Sequence, residues 1–348
     1  MMKTITIKAP DDWHLHLRDG DIARAVIGDT CRQFRRALIM PNLEKPITTV
    51  SDAILYQNRI KNLQPHPNFT LFMTLYLTDK LSVKDVYEVG KNDDVLAIKW
   101  YPKGVTTNSC NGIAHSSLIK DDVLDAIVKN NIVLCVHGES SLPGLDPFDR
   151  EKIFLEDELK PLQKRFPKIK VVLEHITTRQ AVEYVMQTPN TAATITAHHL
   201  AFDRRDLLDR RIRPHLYCLP IMKRWDDRKA LIEAAISGSP KFFLGTDSAP
   251  HTSDNKESSC GCAGCYTAAH AIELYASIFD THGNMDKLEY FSSIAGANFY
   301  GHNTNKESLI IEPEEWTVPE AITLSNMKKI VPLCAGKTFL WKARMVLI

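Results

Sequence analysis

The chain has 348 residues, 44% of them hydrophobic and 24% charged, with 43 basic against 42 acidic side chains and a net charge of +1. This is an ordinary globular composition, long enough for one large domain or two small ones. A charge balance so close to zero gives no field that would make nucleic acid or an acidic membrane surface the main partner.

The N-terminus "MMKTITIKAP" has no apolar core of signal-peptide length, and no run approaches the ~20 apolar residues that cross a bilayer. A cytoplasmic location is expected. The eight cysteines are scattered, and in so large a chain they read as reduced thiols rather than a disulfide framework.

After a short first strand in "KTITIKA", eight runs rich in Val, Ile, Leu, Thr and Phe follow in order: "WHLHLR", "RALIMPN", "TLFMTLYL", "VLAIKWYP", "IVLCVHGE", "KVVLEHIT", "TAATITAHH" and "KFFLGTDSA". Helical patterns lie between them, among them "TTVSDAILYQNRIKNL", "DDVLDAIVKNN", "TTRQAVEYVMQ" and "DDRKALIEAAISG", several opening on Ser, Thr or Asp at a capping position. Eight strand–helix units predict an α/β fold, a (β/α)8 TIM barrel, which needs roughly 250 residues. The surplus suits the N-terminal strand, an insertion near 200–225 and a C-terminal extension after about residue 300, all in a single domain over residues 1–348. An open doubly wound sheet would alternate in the same way, but no Gly-rich phosphate turn follows the first strand.

His14, His16, Lys99, His137, His175 and Asp247 each lie within an apolar strand run or at its C-terminal end. In a barrel those ends form the face that carries active sites. Side chains at i and i+2 of a strand point the same way, so His14 and His16 project into the barrel mouth while Trp13, Leu15 and Leu17 face the helices. Two imidazoles side by side are ready metal ligands, though they also serve as polar barrel filling. Each of the others has a plain reading: His137 and His175 as hydrogen-bonded core histidines, Asp247 as a helix cap. Lys99 is less easily explained, because a buried ammonium costs several kcal/mol unless paired. Together on one rim, these residues make a poor core and a good binuclear metal site.

"DDWHLHLRDG", "MPN", "KWYP…TTNS", "VHGE", "EHITT", "RPHLYCLP", "GTDSAPH" and "KESSCGCAGC" resemble, in order, the motifs of the dihydroorotases of the amidohydrolase superfamily, of the compact stand-alone bacterial type. The similarity runs through about residue 300. It implies two zinc ions per subunit. His14, His16 and Asp247 would hold one, His137 and His175 the other, and Lys99 would bridge them as a carbamate (N6-carboxylysine). The implied reaction is the reversible cyclisation of N-carbamoyl-L-aspartate to L-dihydroorotate, the third step of pyrimidine synthesis. A metal-bridging hydroxide would attack the ring amide, with Asp247 as general base and then acid.

Arg18, Asn42 and His251 match the family's ligands for the substrate carboxylate, and Leu219 and Ala263 match positions whose backbone contacts the ring amide. His137 also lies at the substrate. For Arg18 the plain alternative is a salt bridge to Asp19 or Asp12. The segment "PKGVTTNSCNG" resembles a lid loop with Thr106 and Thr107 facing substrate and Gly104 and Gly112 as hinges. The family also implies a homodimer acting on a small molecule.

"CGCAGC" (residues 260–265) has partial zinc-ligand spacing, with His251 or His270 as a possible fourth ligand, but its glycines also suit a tight loop close to substrate. His198 and His199 are expected to end the seventh of the eight runs. Two rivals stand: a related cyclic-amide hydrolase of the hydantoinase or dihydropyrimidinase kind, which need not supply a carboxylate clamp, and an inactive scaffold homologue, which would have lost ligands.

Overall fold

The computed structural model describes residues 3–64 and 66–346. Strand β1 (Ile5–Lys8) precedes eight parallel strands that pair strictly in chain order: β2 (Asp11–Leu15), β3 (Arg36–Ile39), β4 (Thr70–Tyr76), β5 (Val95–Trp100), β6 (Val133–His137), β7 (Lys170–Glu174), β8 (Thr191–Ile195) and β9 (Phe242–Leu244). Each expected run supplies one of them. They read as continuous apolar segments because both faces are covered. In β6, Leu134 and Val136 pack outward against helices while Val133 and Cys135 fill the barrel.

The intervening helices start where the capping residues predict. Thr49 Oγ1 accepts from the Asp52 N–H at the head of helix Val50–Lys61, and Thr178 Oγ1 from Ala181 N–H at the head of Arg179–Gln187.

The last gap in the barrel, between β2 and β9, is closed by the segment after β9. Asp247 N–H donates to His14 C=O at 2.8 Å, and His16 N–H to Ser248 C=O at 3.1 Å. The barrel seam and the candidate site are therefore one piece of chain.

Trp13 departs from the expected alternation. The ladder of β2 against β3 shifts register between Asp12 and Leu15, and Trp13 turns into the barrel instead of towards the helices. There it stacks on Tyr300 with ring centroids 4.4 Å apart. Helix Ala295–Tyr300 seals the barrel floor against it, and a Cβ on Gly296 would sit 2.2 Å from Trp13 Nε1, so that position has room only for glycine.

The C-terminal extension is a second, antiparallel sheet in the order β1, β10 (Ser308–Thr317), β13 (Thr338–Met345), with a small hairpin of β11 (Ile322–Thr323) and β12 (Lys329–Ile330). The insertion holds helices Ala197–Ala201 and Arg204–Leu208 and a single turn, Pro214–Leu216. His198 and His199 thus do not end a strand. β8 stops at Ile195, and Thr196 caps the following helix by accepting from His199 N–H at 3.2 Å.

Candidate active site

At the C-terminal rim of the barrel, His14 Nδ1 donates to Glu174 Oε2 at 2.7 Å. That fixes the tautomer and leaves the Nε2 lone pair facing His16 Nε2 and Asp247 Oδ1, each 3.3 Å away. His16 Nε2 is 3.0 Å from the same Asp247 oxygen. The ligand atoms of His14, His16 and Asp247 all lie within 4.8 Å of one another, a donor set that suits a divalent cation.

Next to this group, His137 Nε2 donates to Glu139 at 2.8 Å, so its Nδ1 faces His175 Nε2 at 3.2 Å. The rings of His14 and His175 are 5.0 Å apart, joining the two groups. Lys99 is fully buried, and neither its Nζ nor His175 Nδ1 has a hydrogen-bond partner among the described residues. The inward lone pairs of His14 and His137, close to an unpartnered buried amine, suit positive charge placed between them. The residues fit a pair of metal ions.

The electrostatics agree for three of the four imidazoles; at His14 burial is outweighed, chiefly by the Glu174 carboxylate, and the group is raised. Burial pushes the His16 imidazole down to about 4 and lowers those of His137 and His175, which keeps them in the neutral, ligating form. Burial also lowers Lys99, with Glu174 opposing, so free amine is more accessible than at an exposed lysine. Burial alone would raise the Asp247 carboxyl, but the adjoining imidazoles of His14 and His16 outweigh it and hold it well below the usual range.

Above the metal-ligand cluster is a narrow cavity. Its lining includes His16, His137, His175 and Asp247 together with Arg18, Asn42, Thr106, Thr107, Leu219 and Ala263. His14 and Lys99 lie beneath this lining, and His251 faces the wider outer groove that shares Arg18 and Thr107 with the cavity.

Both rivals for Arg18 are engaged elsewhere. Asp19 pairs with Arg59 at 2.8 Å, and Asp12 accepts from Thr246 N–H and Oγ1. Arg18 instead donates through Nη2 to His251 Nε2 at 2.9 Å and through Nε to Pro250 C=O at 3.3 Å, and no carboxylate pairs with it among the described residues. Burial and the Arg18 charge push His251 down to about 3, so it is a neutral acceptor.

Arg18, His175 and Asp247 all have positive φ, at 59°, 40° and 45°. Such backbone costs about 1–3 kcal/mol per residue and gathers at functional sites.

The loop after β5 is held down. Asn42 Nδ2 donates to Thr107 C=O at 3.0 Å, and Asn108 Nδ2 to Asn42 C=O at 2.9 Å. Gly104 adopts φ 77°, but Gly112 is a close contact rather than a free hinge, since a Cβ there would lie 2.0 Å from Tyr101 C=O.

Of the cysteines in "CGCAGC", only Cys265 joins a potential ligand group, with His198 and Cys218; Cys260 is exposed. All eight cysteines are free thiols.

Glu174 and Glu139, which orient His14 and His137, were missed by sequence reading. Their signal was available: like Lys99, each is an ionisable residue within or just after an apolar run.

The chain belongs to the amidohydrolase family, which residues 7–310 match. Its relatives at close to half identity over nearly the full length include many dihydroorotases. The dihydroorotase of Picosynechococcus sp. is 49% identical over 343 residues, covering 98% of this chain and 99% of its own. Among solved structures, dihydroorotase from Saccharomyces cerevisiae in complex with 5-fluoroorotic acid superposes with a TM-score of 0.92 at 32% identity, over 99% of both chains. That of Campylobacter jejuni gives 0.90 at 34% identity, over 99% of this chain and 98% of its own.

Proposed function

We propose that the protein catalyses the dihydroorotase reaction: the reversible closure of N-carbamoyl-L-aspartate to L-dihydroorotate and water in pyrimidine synthesis. One observation carries this reading. A single cavity joins the imidazole and carboxylate cluster of His16, His137, His175 and Asp247 to Arg18 and Asn42, groups able to bind a carboxylate.

His14, His16 and Asp247 would hold one metal and His137 and His175 the other. Lys99 would bridge them after its neutral amine adds to CO2 and loses a proton, which yields a carbamate anion with two ligand oxygens. Zinc suits the nitrogen and oxygen donors. Two such cations would polarise a carbonyl and lower the pKa of water towards ~7.

The chain's own residues supply the rest. Arg18 grips the ring carboxylate, with Asn42 and His251 beside it, and the backbone at Leu219 and Ala263 orients the ring amide. In ring opening, Asp247 takes the proton of the attacking water and delivers it to the ring nitrogen as the C–N bond breaks; closure is the reverse. Glu174 and Glu139 keep His14 and His137 in the tautomers that point their lone pairs inward. Thr106 and Thr107 shield the reacting centre from bulk water.

The same reading makes the protein a cytosolic homodimer acting on a small molecule, with neither nucleic acid nor membrane as partner. The near-neutral charge supports the lack of a nucleic-acid partner; no helix among the described residues is long and apolar enough to cross a membrane.

Arg18→Lys tests the carboxylate clamp, because a point charge cannot reproduce a planar two-bond grip. Dihydroorotate turnover should fall sharply while turnover of dihydrouracil, which lacks the carboxylate, changes little. Equal losses on both would place Arg18 outside the carboxylate site and favour a hydantoinase-type specificity.

A further inference from the structure

Lys256 ends the short helix Ser253–Lys256 and is 4% exposed. A buried ammonium ordinarily has a carboxylate partner, yet among the described residues none pairs with Lys256. Its Nζ donates instead to three backbone carbonyls: Tyr217 at 2.8 Å, Cys262 at 2.8 Å and Gly264 at 2.7 Å. An ammonium has three donors, and all three are used. Burial lowers its pKa, but these bonds all favour the charged form.

The three carbonyls lie at or close beside residues of the cavity lining, Leu219, Ala263 and Gly264. Cys262 and Gly264 flank Ala263, and Tyr217 lies two residues before Leu219. A further bond, Gly264 N–H to Tyr217 C=O at 2.9 Å, ties the two strips directly. The carbonyl of Cys262 also belongs to the same peptide unit as the Ala263 N–H. A charged donor on that oxygen polarises the peptide and makes its N–H a stronger donor.

We propose that Lys256 is a positioning residue for substrate binding. It clamps the Tyr217–Leu219 and Cys262–Gly264 strips together from beneath, and it strengthens the Ala263 amide as a donor to a bound ring. This rests on the proposed substrate contacts of Ala263 and Leu219.

The test uses the metal-loaded enzyme with Lys256→Met, and with Lys256→Gln, which keeps two donors and no charge. Orotate, a planar and unreactive analogue, serves as the binding probe. Lys256→Met should weaken orotate binding and raise the KM for dihydroorotate by about tenfold or more, while metal content equals wild type and kcat falls less than KM rises. Lys256→Gln should fall between the two. A loss confined to thermal stability, with wild-type KM and orotate affinity, would overturn the proposal. So would failure of both variants to fold, which would assign Lys256 to the fold alone. Absence of dihydroorotate turnover in the wild-type protein would instead overturn the proposed reaction, so the two failures can be told apart.

Discussion

Lys99 and Asp247 show how much of the proposed chemistry rests on single side chains. Lys99 Nζ is fully buried with no hydrogen-bond partner among the described residues, a costly state that modification or binding of the group would relieve. Lys99→Ala removes the proposed bridge, so metal content measured by atomic emission should drop and turnover should be lost. Short carboxylic acids in excess should restore part of the rate by occupying the vacated space. Full activity in the unrescued variant would contradict the carbamate.

Asp247→Asn makes a different demand. It preserves size and the backbone bond to His14 C=O that closes the barrel, so the fold should hold. Removing the proton carrier should lower kcat by about 10²–10⁴-fold. A variant retaining wild-type kcat would mean that the proton travels by another group. His14 and His16 were legible as a pair in an apolar run. Glu174 was not singled out because the histidine beside it drew the functional reading. Lys256 could not have been found from sequence, since its partners are carbonyls brought together only by folding.

At the scale of elements, the loop after β5 is where sequence and structure add to one another. The sequence marks it as polar and glycine-bearing, and the structure fastens it through the Asn42–Thr107 and Asn108–Asn42 bonds. Because Gly112 is packed against Tyr101 C=O, the proposed lid would pivot near Gly104 and the Asn42 contacts rather than at both glycines. Replacing Thr106 by Ala and Thr107 by Val together should lower kcat by about 10²-fold with metal content unchanged, because small misplacements over a reacting centre carry that scale of penalty. Orotate should also slow proteolysis within residues 102–112. Normal turnover with no protection would reduce the loop to a connector. Strand β2 shows the opposite relation. Strict period-2 reading placed Trp13 outside the barrel, and the register shift between Asp12 and Leu15, which no local pattern announces, put it inside. The His198 and His199 error was avoidable, because Thr196 is a good N-cap and it is the residue at which the chain turns helical.

For the whole molecule, the barrel was legible because its strands are buried on both faces and so stand out as apolar runs. The pairing of the extension was not, because β10 joins β1 across most of the chain length and β13 in turn joins β10. The fold then does two things at once: the floor is sealed by Trp13 and Tyr300, and the seam closes through Asp247 and Ser248. A barrel with a sealed base and its ionisable groups at one rim excludes water from below and admits substrate only from above.

The most direct measurement is ring opening by the purified, metal-analysed protein, with L-dihydroorotate and dihydrouracil compared side by side. The expected result is about two metal ions per chain, rapid opening of dihydroorotate, and slow but measurable opening of dihydrouracil. Turnover that prefers dihydrouracil, or metal-replete protein that opens neither ring, would contradict it.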